Sequence, residues 1–250
     1  MKLLELFITE TTEEDRAIIS LSSAIYRHMQ KYVDYIDPDS TEPLDIGQIR
    51  DFCDTPLEAL DSIHIVLQRG DALRKSVHDD DGEEDDANPS VTLGAWFAAD
   101  ETIKLNSEYI TSNTIKSTIS HELRHALDDF KSEGRASNSD RYRTPKKKEH
   151  RIKDPYMGNL AYKAQPAEIN ARFVQVLHAI TNALERASLK DLPPDQLRAR
   201  AEATLKKSLQ VHKISNLFPE KEKSPDYKRL MKRAVDFIQK EVDHIKNTSF

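Results

Sequence analysis

From Ile115 to Phe130 the chain can gather its apolar residues on one side only by coiling into a helix. At about 100° per residue, Ile115, Ile119, Leu123, Ala126, Leu127 and Phe130 fall within one sector of roughly 120°. The same winding sets His121 and His125 about 40° apart on the other side, with Glu122 about 60° from His125. A helix with such a sector faces a core, and its imidazole pair then stands on the opposite, polar side. The stretch STISHELRHALDDF, residues 117 to 130, therefore constrains the fold around it and the chemistry beside it.

This is the HExxH arrangement, in which two neutral imidazoles one helical turn apart bind zinc and the glutamate takes a proton from a zinc-bound water. Zinc lowers the pKa of its water from about 15.7 towards about 7, and peptide hydrolysis is the natural chemistry of that pair. With nine histidines in the chain, a chance occurrence has odds on the order of a few per cent. A catalytic site needs three protein ligands and an open position, so a third ligand must lie elsewhere. The candidate is Glu168, 43 residues after His125 in QPAEINARF, early in a helix opened by Pro166 and directed away from the stripe of Ile169 and Phe173. A first-turn glutamate also has a simpler role, with the helix dipole, and His150 and Glu149 stand in reserve as ligands. Asp129 is placed to orient a metal-bound imidazole, the alternative being that Asp128 and Asp129 are solvated. GAWFAA, Gly94 to Ala99, is either an edge strand that holds a substrate backbone or an ordinary structural hairpin.

The rest of the chain bounds this reading. Thr11 or Thr12 opens a helix through Ile18, Ile19, Leu21, Ile25 and Met29 to about Tyr35, and Pro38 and Pro43 end it. After Pro56 a helical turn leads into the strand SIHIVLQ, and VTLGAWFAA and TIKLN form a hairpin turning at Asp100 and Glu101. Beyond residue 164 the pattern is helical, from Pro166, from Pro193 and Pro194, and from Asp226 through Leu230, Ala234, Val235, Ile238 and Val242. Asp79 to Asp86, DDDGEEDD, and Arg141 to Lys153, with seven basic residues, read as loops. A net charge of −6 marks neither a nucleic-acid-binding nor an extremely acidic protein as a whole. The single cysteine, Cys53, forms no internal disulfide, and Glu5 interrupts the apolar start before a signal peptide develops; a cytoplasmic setting and no membrane partner are expected.

HELRHALDDF, with Asp129 four residues after the second histidine, resembles the active-site helix of the gluzincin metallopeptidases, the thermolysin-like group. EINA, with Glu168 first, is similar to that group's glutamate motif, and Tyr162 to Arg172 is similar to small peptidases of bacteriophages and bacteria. The likeness covers roughly Gly94 to Arg172; the glutamate lies farther from the histidines than in thermolysin, and Arg172 stands where a carboxylate would be expected. A third histidine six residues after the second, as in metzincins, is replaced by Lys131, and Cys53 lies in no deformylase motif. The expectation is an α+β, zincin-like fold, mostly helical with a small sheet before the HExxH helix. Residues 1–135 form a first lobe, 136–163 a basic loop, and 164–250 a helical lobe supplying the third ligand across a cleft. The expected function is zinc-dependent hydrolysis of a peptide or protein, with zinc on His121, His125 and Glu168, Glu122 as general base and Tyr162 as the catalytic donor to the oxyanion, ahead of Tyr156, His150 and Arg172, the alternative for Tyr162 being an aromatic that packs against the Glu168 helix. Two competing readings are a non-enzymatic virion or interaction protein that keeps the fold, and a nucleic-acid-associated protein using the basic run 141–153.

Overall fold

The computed structural model describes residues 12–37, 39–81, 91–132, 166–185, 191–218, 220–221 and 223–247. It is an α+β protein that divides into two compact units, one formed by Ala17–Ser137 and the other by Met1–Arg16 with Asn138–Phe250. Among the described residues no helix is long and apolar enough to cross a membrane.

The unit Ala17–Ser137 is built on a four-stranded mixed sheet. Helix α1 (Thr12–Met29) contributes all but its first residues to this unit and tightens into a 3-10 turn over Gln30–Tyr35, so the expected helical stretch to Tyr35 is present in two forms. Strand β1 (Leu44–Gln48), the short helix α2 (Ile49–Phe52), strand β2 (His64–Gln68) and helix α3 (Gly70–Asp81) follow. The hairpin β3 (Gly94–Phe97) and β4 (Thr102–Asn106) then leads to helix α4 (Asn113–Lys131). Strand order is β1-β2-β4-β3, with β2 and β4 parallel and both outer pairs antiparallel. Ile65 pairs with Ile103 and Leu67 with Leu105, all essentially buried, as expected for central strands covered on both faces.

Two elements differ from the sequence expectation. β1 extends the sheet beyond the two or three strands expected; a bulge between Asp45 and Gly47, where Gly47 takes φ +112°, breaks the alternation that would have announced it. The acidic run also begins inside helix α3, since Asp79 to Asp81 complete that helix; residues 82–86 lie outside the described residues.

α4 packs on β3 and β4, and its Ile115, Ile119, Leu123 and Ala126 are all fully buried. The approach is close at Gly94, where a Cβ would stand 2.8 Å from Thr118 Cγ2 and 3.0 Å from Leu105 Cδ2. Gly94→Ala is therefore expected to destabilise the protein by about 1–3 kcal/mol through overpacking, read as a lower urea midpoint at unchanged slope. An unchanged midpoint would mean that α4 retreats from the strand at no cost.

The other unit is helical. Helices α5 (Pro166–Leu184), α6 (Pro194–Val211) and α7 (Pro225–Asn247) pack pairwise on one another. Each starts at proline, whose fixed φ suits the first turn and whose missing N–H would have had no helical partner there. The expected stripe on α5 is buried, Phe173, Val176, Leu177 and Ile180 completely; on α7 Leu230, Ala234, Ile238 and Val242 are buried, joined by Phe237, whereas Val235 is 59% exposed and lies off the stripe. The first turn of α1 belongs here too: Arg16 Nε donates to Glu241 Oε1 at 2.7 Å, and Lys240 pairs with Glu13.

Candidate metal centre

α4 is fixed at both ends. Ser112 Oγ accepts the Thr114 N–H at 3.2 Å, filling one of the donors that a helix start leaves open, and Ser132 closes the other end by donating its hydroxyl to the Asp129 carbonyl at 3.0 Å. Its apolar face is clamped to the sheet, and the Phe130 ring meets Trp96 of β3 at 6.2 Å between centroids. The polar face is thereby held at one rotation.

On that face His121 Nε2 and His125 Nε2 lie 3.1 Å apart, with the rings at 83° and their centroids 4.6 Å apart. Two nitrogens bound to one tetrahedral zinc at about 2.0–2.1 Å stand about 3.3 Å apart, so this pair is already at chelating separation. At this separation one imidazole nitrogen can donate to the other. Glu122 is 7% exposed on the same helix. Its carboxylate borders the imidazole side at about 60° from His125 on the helical wheel.

The structure adds a feature that the motif does not contain. Arg124 and Asp128 form an ion pair at 2.5 Å, both side chains with 0% exposure. On the wheel they flank His121 at about −60° and −20°, so a buried charge pair borders the histidines opposite Glu122. Asp129 is also buried, at 7% exposure. Neither aspartate is a solvated helix residue. The i,i+4 spacing of Arg124 and Asp128 was the available signal; it predicts a helix-surface pair as readily as a buried one.

Glu168 belongs to the other unit, in the first turn of α5. It does not point to water; the residue is 2% exposed, and Arg172 Nε donates to its Oε1 at 2.5 Å. Two residues on, Asn170 accepts from Arg233 Nη1 at 2.8 Å, while Arg233 also makes a two-pronged pair with Asp15, its Nε at 2.6 Å from Oδ2, and lies over the Phe173 ring. Asp15 is completely buried. This network, which no periodicity in the sequence announces, anchors α5 to α7 and to the first turn of α1 next to Glu168.

Tyr162, Tyr156, His150, Glu149 and the basic run 141–153 lie outside the described residues. Arg172, an oxyanion candidate on sequence, holds Glu168 instead. Cys53 is half-buried; burial, then Asp54 and Asp61, push its thiol up to about 11, which keeps it protonated and removes it as a thiolate ligand or nucleophile at neutral pH. His64 pairs with Asp45 on the sheet edge, and His28 stacks on Phe52 and reaches the Ile46 carbonyl, so both have structural partners. No family model, curated protein or solved structure matches this chain.

Proposed function

We propose that this chain is a zinc-dependent peptidase of zincin-like fold, in which His121, His125 and Glu168 together hold the ion and Glu122 is the general base. The observation that carries the reading is the convergence of two Nε2 atoms at 3.1 Å on a helix face bordered by a buried glutamate. Two imidazole nitrogens and one carboxylate oxygen are also the donor set of hydrolytic zinc sites that keep a position open. Bound zinc would polarise a substrate carbonyl and bring the pKa of a water towards about 7. Glu122 takes the proton of the attacking water and returns it to the leaving amine, a task for which a carboxylate next to the site is suited. Asp129 and the Arg124–Asp128 pair keep the imidazole face in place, and Tyr162 is assigned as the donor to the oxyanion.

Metal analysis tests the reading directly. Protein loaded with zinc and desalted is expected to retain about one zinc per chain, and His121→Ala little. No retention by the unsubstituted chain, or equal retention by both, would remove the site.

A further inference from the structure

We propose that Arg172 is a positioning residue that fixes Glu168 as a one-oxygen metal ligand; the inference rests on the zinc reading above and goes further by saying how the third donor is aimed. Glu168 and Arg172 are one helical turn apart on α5, in the order that favours pairing, glutamate first. An exposed pair of this kind is worth little, because water competes for both charges. Here the carboxylate side chain is 3% exposed and the guanidinium 18%, so water competes poorly.

The guanidinium is tethered at a second point. Its Nη1 reaches the backbone carbonyl of His212 at 3.4 Å, at the residue that caps the end of α6. Terminal helix carbonyls lack helical partners and carry the negative end of the dipole, so this is a seat for a cation. Held between α6 and Glu168, Arg172 engages Oε1 through Nε and restricts the rotation of the carboxylate, which would then meet a metal through one oxygen rather than both.

The opposing effect is charge: a guanidinium beside a ligand repels the metal and draws electron density from the donor oxygen. The α6 terminus offsets part of that repulsion, because its partial negative charge lies against the same guanidinium. Removing a partner that orients a metal ligand typically weakens binding by about 10- to 100-fold, and positioning is the effect assigned to Arg172.

The test is zinc affinity of the full chain, measured by competition with a chromophoric chelator, beside helicity and urea midpoint. Arg172→Met is expected to weaken zinc binding by about 10- to 100-fold, and Arg172→Gln, which keeps a donor within reach of Oε1, to recover part of the loss. Should the methionine variant fold poorly, the glutamine variant alone decides: affinity lower than in the unsubstituted chain at equal helicity supports positioning. Unchanged or tighter zinc binding in folded variants overturns the inference while leaving the zinc site standing. Absence of zinc binding in the unsubstituted chain overturns both, and unaffected binding in Glu168→Ala shows that the third ligand is another residue.

Discussion

Glu122→Gln is expected to retain about one zinc per chain while losing peptide hydrolysis by about 10²- to 10⁴-fold in kcat. Glutamine keeps the size of the side chain and two hydrogen-bonding atoms but cannot accept a proton as a base. The metal is held by His121, His125 and Glu168 in the proposed site, so a change at Glu122 leaves every ligand in place. The two readouts therefore separate. Loss of activity with zinc retained assigns Glu122 the proton transfer; loss of both would mean that this side chain, 7% exposed, supports the helix face rather than the chemistry. Activity equal to that of the unsubstituted chain would remove the general base from the mechanism. A casein or peptide-library digest followed by mass spectrometry detects cleavage whichever bond is preferred.

The contrast between what the sequence conveyed and what required coordinates follows from periodicity. α4, α5 and α7 were readable because long amphipathic stripes repeat the same geometric statement over four or five turns. The β3–β4 hairpin was readable from clustered β-branched and aromatic residues around a short turn, with Glu101 at φ +48° in that turn. β1 was not, because five residues with one bulge and a single buried side chain, Ile46, carry too little repeat. In the site, the spacing of His121 and His125 specified their meeting, since helix geometry alone sets it. The burial of Arg124, Asp128, Asp129, Glu168 and Arg233 could not be read in the same way. A helical wheel states the direction in which a charge leaves its own helix; it says nothing of which element covers that side. Charged residues within such stripes read as solvated until a partner from a distant position, such as Asp15 for Arg233, is seen.

That partnership yields the largest expected effect on stability. Arg233→Met leaves the Asp15 carboxylate, with 0% exposure, facing an apolar side chain, and deprives Asn170 of its donor. Breaking a buried pair from one side costs about 3–5 kcal/mol, because the charge left behind has lost both water and counter-ion. The position of Asp15 in the first turn of α1 softens this, since a carboxylate near a helix start is favoured by about 0.3–1 kcal/mol. Asp15→Leu alone takes the carboxylate from the guanidinium, which keeps its bond to Asn170 and the Phe173 ring beneath it. Replacing both should cost much less than the sum of the two, because no buried charge of the pair then lacks its partner, and matched apolar substitutes for such pairs are often neutral. Urea unfolding of the four proteins measures this. Strictly additive losses would mean that Asp15 and Arg233 are each satisfied by other groups and that their two-pronged contact contributes little. Strong coupling would make the pair the clasp that ties the start of α1 to α7, whose Arg233 also holds Asn170 on the helix carrying Glu168.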